Sequence, residues 1–238
     1  MKSKEAFAKE LKEVLISRIS QEHPLIEELF SNGDIEMLRE MVLQGYQLTR
    51  HFAIYVGGIY YRCPVAKHRK RFAFNLFEEE TGRISKTNGH LELLNRFTDA
   101  IGLTKEDLDN VPVNPETQEL IDYRYRLIED KDNYHKAVSA IMIASEGQNL
   151  EERVGESRRD IVSKGFGIDL EDLLFFKVHA EEDVYHVQDG INCTVDVCDT
   201  AEKQQEAIDT IHETCDKFSA HYDGIYREYK RKYQGVTA

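Results

Sequence analysis

Residues 179–186 read HAEEDVYH, placing His179, Asp183 and His186 at i, i+4 and i+7. At about 100° per residue, the three fall within about 60° of one another on a helix. Imidazole, carboxylate and imidazole on one stripe form a metal-ligating arrangement, provided the rest of the chain supplies the missing ligands. A buried carboxylate must be paired or metal-bound, so acids set among apolar residues are where those ligands are sought. Glu146 closes the apolar stretch VSAIMIAS, where an acid is either an ordinary helix-end residue or a ligand. Upstream, NLFEEETGRISKTNGH (75–90) sets three glutamates ahead of His90. Eleven residues carry a continuous helix about three turns plus 20°, so Glu79 and His90 would share a face. Glu78 and Glu80 would miss that face by roughly 120° and 80°, and are expected to be solvated.

Gly82 and Gly89 lie between Glu79 and His90, and a helix broken there removes the basis of the angular argument. The segment is then either ordered by metal binding or an ordinary rigid turn. Taken together, Glu79, His90, Glu146, His179, Asp183 and His186 offer three carboxylates and three imidazoles without a thiolate. That donor set suits non-haem iron or manganese and poorly suits structural zinc. Six protein ligands exceed the need of one open metal and match two metals sharing bridging carboxylates.

The elements that must position these residues read almost entirely as helix. Glu5–Ser20 carries apolar residues at 3–4 spacing, and His23-Pro24 opens a short helix stopped at Asn32-Gly33. Asp34 caps a stretch from Ile35 to Arg62, ended by Cys63-Pro64, and another runs from Val65 to Thr81. His90–Ala100 ends at Gly102, and residues 102–117, with two of the four prolines, form the main connection. Helical patterns resume at Gln118–Glu129, Tyr134–Gly147, Leu150–Lys164, Asp169–Gln188 and Ala201–Tyr233. Asn192–Val197 is the one strand-like stretch. The expected fold is an all-α bundle of seven or more helices, one domain spanning residues 1–238.

Composition narrows the partners. The 238 residues are 41% hydrophobic and 32% charged, as in a globular protein, with 31 Lys and Arg against 44 Asp and Glu and a net charge of −13. That balance argues against nucleic acid and anionic membrane, both of which need a basic footprint. The basic cluster Lys67–Arg71 leads straight into Phe72-Ala73-Phe74 and reads as the solvated start of a helix. The apolar run Phe52–Tyr61 is too short to span a bilayer. Cys63, Cys193, Cys198 and Cys215 form no C-x-x-C pair, which points to a reducing cytoplasm.

At the residues singled out above, the chain resembles the haem-oxygenase-like diiron oxidases and oxygenases. In that family one late helix carries H-x-x-x-D-x-x-H, here His179, Asp183 and His186. An earlier helix carries a Glu with a downstream His, here Glu79 and His90, and a middle helix gives another Glu, here Glu146 in ASEGQN. The resemblance implies a haem-oxygenase-like fold, two Fe(II) ions on the six ligands, and O₂ as co-substrate. It also implies a small-molecule substrate, an amino acid with an aromatic side chain, and leaves room for an external electron donor and a homodimer. The Glu79–His90 spacing and the chain length are similar to those of the family's nitrile-forming member. That likeness implies oxidative C–C cleavage of a brominated tryptophan to an indole-3-carbonitrile.

The family's alternatives are fatty-acid decarboxylation and self-sacrificing 4-aminobenzoate formation, and composition and spacing do not choose among them. A non-catalytic metal-binding helical protein is the remaining alternative. A ferritin-type bundle would need two E-x-x-H motifs, and the sequence has none. Haem oxygenase proper would need a proximal histidine near the N-terminus; His23 would serve, but would leave the His179 cluster unexplained. A cysteine nucleophile would fall on Cys63, which reads better as a helix-end residue. The substrate pocket is expected from positions a turn away from the ligands: Phe72, Leu76, Met142, Phe175 and Phe176. Phe52 and Tyr55, near Gly57-Gly58, join that wall, and His51 or Arg62 would meet a substrate carboxylate.

Overall fold

Capping residues in the sequence become helix ends in the computed structural model, which describes residues 1–19, 23–32, 34–151 and 157–235. The helices are α1 (Lys4–Arg18), α2 (Pro24–Asn32), α3 (Ile35–Thr49), α4 (Phe52–Arg62), α5 (Ala66–Thr81) and α6 (His90–Ala100). They continue as α7 (Lys105–Asn110), α8 (Pro115–Glu129), α9 (Tyr134–Val138), α10 (Arg158–Phe166), α11 (Leu174–Val197) and α12 (Ala201–Tyr233). Ser3, Asp34 and Thr200 accept hydrogen bonds from first-turn amides of α1, α3 and α12, satisfying donors that have no partner inside the helix. Thr104 and Asp107 form a reciprocal capping box on α7, and Pro115 sits in the first turn of α8. The all-helical expectation stands.

Its details change in five places. The stretch Ile35–Arg62 is two helices, broken at Arg50-His51 where α3 ends and α4 begins. The 102–117 connection is itself partly helical, containing α7 and the start of α8. Asn192–Val197 is the last part of α11, which outweighs its strand-like composition because that helix packs along the buried centre. Residues 170–173 form a 3₁₀ turn ahead of α11, and α10 starts only at Arg158. Ser20 and Gly33, expected at helix ends, and residues 152–156 of the expected Leu150–Lys164 helix lie outside the described residues.

The centre of the molecule is the segment 134–149. After α9 it widens into a π-helix, Ser139–Ser145, then tightens into a 3₁₀ turn, Glu146–Asn149. Every residue from Tyr134 to Gln148 except Lys136 is buried. α11 and α12 pack along it, α8 and α4 touch it, and α1 lies across α11 and α12. Phe7, Leu11 and Leu15 of α1 close one core against Ile143, Ile191 and Ile211. Tyr55, Phe72, Ile141 and Met142 belong to a second core on the opposite side. No helix among the described residues is long and apolar enough to cross a membrane.

α5 and α6 are joined by a tight turn with its own internal satisfaction. Gly82 caps α5 at φ 60°, and the Glu78 carboxylate accepts the amides of Ile84 at 2.7 Å and Ser85 at 3.2 Å. The amide of Thr87 donates to the Gly82 carbonyl at 2.8 Å. These bonds involve no candidate ligand, which favours the rigid-turn reading of this segment over ordering by metal. A Cβ on Gly82 would lie 2.0 Å from the Asn88 carbonyl oxygen. Gly82→Ala therefore adds left-handed strain to a backbone collision and should cost at least ~2 kcal/mol. Urea denaturation of the metal-free protein measures it; an unchanged midpoint would mean that the turn is loose.

Candidate metal centre

His179, Asp183 and His186 lie on one face of α11, and all three are buried. Glu79 sits near the end of α5, His90 opens α6, and Glu146 begins the 3₁₀ turn after the π-helix. The structure brings these residues together from four elements. Ligand-capable atoms of Glu79, His90 and His179 lie within 4.8 Å of one another, and so do those of Glu79, Glu146 and His186. Glu79 belongs to both groups. Asp183 completes the constellation beside the second, with Oδ1 3.5 Å from His186 Nδ1.

Glu79 and His90 meet by a route different from the one expected. α5 stops at Thr81, and the turn swings His90 back so that its Nδ1 lies 3.1 Å from Glu79 Oε2. No continuous helix face links them. Glu80 is exposed as expected, but Glu78 is 1% exposed, because the turn's amides need its carboxylate as their acceptor.

Several polar atoms of this centre have no hydrogen-bond partner although they are buried: Glu79 Oε1, both His90 ring nitrogens, Asp183 Oδ1 and His186 Nδ1. Buried polar atoms are normally satisfied, so this concentration of orphans on histidines and carboxylates fits metal coordination. The supporting hydrogen bonds have the matching pattern. His179 Nδ1 donates to the Phe175 carbonyl at 2.7 Å, which leaves Nε2 with its lone pair for a ligand bond. Asn75 donates to Glu146 Oε1 at 2.9 Å, and Asn149 donates to Asp183 Oδ2 at 2.8 Å, each holding its carboxylate in place. Neither asparagine was picked out from the sequence. The signals were there: Asn75 is one turn before Glu79 on α5, and Asn149 is three residues after Glu146.

The donor set of imidazoles and carboxylates suits iron. Glu79, His90 and His179 would hold one ion, and Glu79, Glu146 and His186 the other, with Asp183 beside them. Burial and the neighbouring Asp183 charge raise the Glu146 carboxyl to about 7 in the metal-free protein. Burial pulls the His90 imidazole down, but the carboxylates of Glu79, Asp183 and Glu146 outweigh it and raise it to about 8. Both groups thus hold protons more tightly folded than unfolded, so the stability they contribute to the metal-free fold is lost as pH rises, from 4.5 to about 7 for Glu146 and from 6.5 to about 8 for His90. A cation must displace those same protons, so its affinity rises with pH up to about 8. The gap in melting temperature between Fe(II)-loaded and metal-free protein should widen from about pH 6 to about pH 8. A gap that stayed constant would separate metal binding from these groups.

The metal-facing groups open onto a cavity of about 420 Å³ lined by Glu79, Glu146 and His179. Its walls are mainly apolar and include the aromatic rings of Phe30, Phe52, Phe97, Phe175, Phe176 and Tyr222. Phe52, Phe175 and Phe176 were expected there. Tyr55, Phe72, Leu76 and Met142 are not among its lining residues; they pack in the neighbouring core. His51 is held by the Tyr125 hydroxyl, and Arg62 donates to backbone carbonyls of Leu127, Ile128 and Asp130, so neither faces the cavity. The cations that do line it are Arg124 and Arg158, which were not singled out from the sequence. Thr117, Leu120, Ile121 and Arg124 follow i, i+3, i+4, i+7 spacing, and that pattern puts Arg124 on the buried face of α8.

The fold and the chain have known counterparts. A protein from Shewanella denitrificans, described as a domain of unknown function with a haem oxygenase-like fold, superposes with a TM-score of 0.75 at 17% identity, covering 96% of this chain and 94% of that one. A 4-aminobenzoate synthase from Nitrosomonas europaea is 24% identical, covering 94% of this chain and 92% of its own length. A 4-aminobenzoate synthase from Chlamydia pneumoniae is also 24% identical, over 74% of this chain and 78% of its own. Residues 39–217 match the family described as iron-containing redox enzymes, a span that includes all six candidate ligands. By that match the chain belongs to the haem-oxygenase-like, iron-containing redox enzymes.

Proposed function

We propose that the chain is a dinuclear iron oxidase that uses O₂ on a small aromatic molecule and forms 4-aminobenzoate or a closely similar product. The observation that carries the dinuclear reading is Glu79, shared by two buried ligand groups that open on one aromatic cavity. Two similar chains named as 4-aminobenzoate synthases support the choice of product. Two ferrous ions held there would supply the electrons for O₂ activation. The protein's own part is to place the substrate and to exclude water. Phe30, Phe52, Phe175 and Phe176 supply apolar walls against which an aromatic ring packs. Asn75 and Asn149 keep the carboxylates of Glu146 and Asp183 from turning away from the centre.

The test is product analysis. Fe(II)-loaded protein is exposed to O₂ with a reductant, with and without added aromatic amino acids, and the products are separated and weighed by mass spectrometry. The expected result is 4-aminobenzoate, absent from anaerobic and metal-free controls. The indole-3-carbonitrile reaction implied by the Glu79–His90 spacing is the competing outcome. Nitrile from tryptophan or its brominated form, with no aminobenzoate, would replace the proposed product.

A further inference from the structure

The cavity wall carries two chemically different sets of polar groups. One set is Glu79, Glu146 and His179 of the metal centre; the other is Arg124 and His221. Arg124 is 2% exposed, and among the described residues no carboxylate forms an ion pair with it. Its Nε is buried without a hydrogen-bond partner. The guanidinium is gripped by aromatic faces instead, 4.9 Å from the centre of the Phe218 ring and 5.5 Å from that of Tyr55. His221 beside it supplies no counter-charge: its Nδ1 lies 2.8 Å from the Thr117 hydroxyl, and burial, helped by the Arg124 charge, pulls it down to about 3.

A desolvated cation without an anionic partner is costly to keep folded, and such charges are retained where something returns the cost. Arg158, the other cavity cation, is already engaged: it donates to the Gln148 carbonyl at 2.7 Å and is only partly buried. A planar guanidinium held between rings, with donors facing an aromatic cavity, matches a carboxylate attached to an aromatic body. We infer that Arg124 binds the carboxylate of an aromatic acid, fixing its ring across the cavity with the far end toward the metal centre. The inference rests on the proposed function for its chemical setting, but concerns binding and needs no turnover.

Equilibrium dialysis of benzoate against its neutral isostere benzamide tests it, on Fe(II)-loaded protein kept anaerobic and on the same protein stripped of metal. Wild-type protein should bind benzoate at least roughly 10-fold more tightly than benzamide in both states. Arg124→Met should erase that preference while leaving benzamide binding within about threefold, and Arg124→Lys should retain part of it. Arg158→Met should keep the preference. Equal binding by the wild type overturns the inference, as does a preference that survives Arg124→Met or is lost only in Arg158→Met. A preference that vanishes on metal removal places the carboxylate on iron and also overturns it. Circular dichroism checks that each variant folds. Should neither Arg124 variant fold, the wild-type titrations with and without metal, together with Arg158→Met, decide between the three sites. A failed product assay with benzoate preference intact would fault the proposed reaction and leave this site standing.

Discussion

Glu79→Ala protein is expected to retain almost no iron, whereas His90→Ala and His186→Ala each lose one of the two ions. The difference follows from position. Glu79 offers ligand atoms to both buried groups, while His90 serves only the one with His179, and His186 only the one with Glu146. Substitution even of groups that only orient metal ligands typically weakens binding by about 10- to 100-fold, so loss of a shared ligand should exceed about 100-fold at both positions. Anaerobic reconstitution followed by iron quantification reads the outcome directly, and oxygen uptake should fall in step with iron content. Full retention of one ion by Glu79→Ala would mean that the carboxylate is not shared and that the centre has a single principal site.

The parts of this centre that sequence reasoning reached are those that regular helix geometry controls. α11 runs unbroken through His179, Asp183 and His186, so their 3–4 spacing translated directly into one face. Glu79 and His90 lie side by side, but not on the shared helix face argued from the sequence, since the helix ends between them and a turn brings them together. The same turn explains why Glu78 was misread. Its environment is set by the amides of Ile84 and Ser85, which helical angles do not describe.

Other features were hidden because they depend on tertiary partners. SAIMIAS is apolar or small all round, so nothing in its periodicity marks a π-helix, although the wider turn alters the rotation at which Glu146 emerges. The break at Arg50-His51 has neither Gly nor Pro, and apolar spacing continues across it. Choosing pocket residues by their nearness to ligands in sequence favoured Met142 and Phe72, which face the second core. The cavity instead draws on Phe30 and Phe218, from helices far away in sequence, which come together only when α2 and α12 pack.

The π-helix and α11 approach so closely that one glycine controls the fit, and its replacement should have the second large effect. Gly190 lies one turn beyond His186, and a Cβ there would fall 2.6 Å from the Met142 carbonyl oxygen and 2.7 Å from Met142 Cβ. Both belong to the buried central segment, so neither can move aside as an exposed side-chain tip would. Gly190→Val should therefore force α11 away from residues 139–145, at about 3 kcal/mol for an overpacked core. The displacement acts on chemistry as well as stability. His186 Nδ1 now lies 3.3 Å from Glu146 Oε1, and these two ride on the two elements being separated. Gly165 provides the opposite case, an exposed α10 position with nothing within 4 Å of an added Cβ. Gly165→Ala should raise stability by about 0.5–1 kcal/mol through helix propensity and the unfolded chain, with iron content unchanged. Denaturant titration of metal-free protein gives the stability of both variants, and iron titration gives occupancy. The close-packing account requires Gly190→Val to lower the midpoint and to lose iron from the Glu146–His186 position first. A variant with normal iron and a normal midpoint would mean that α11 can shift without disturbing the centre.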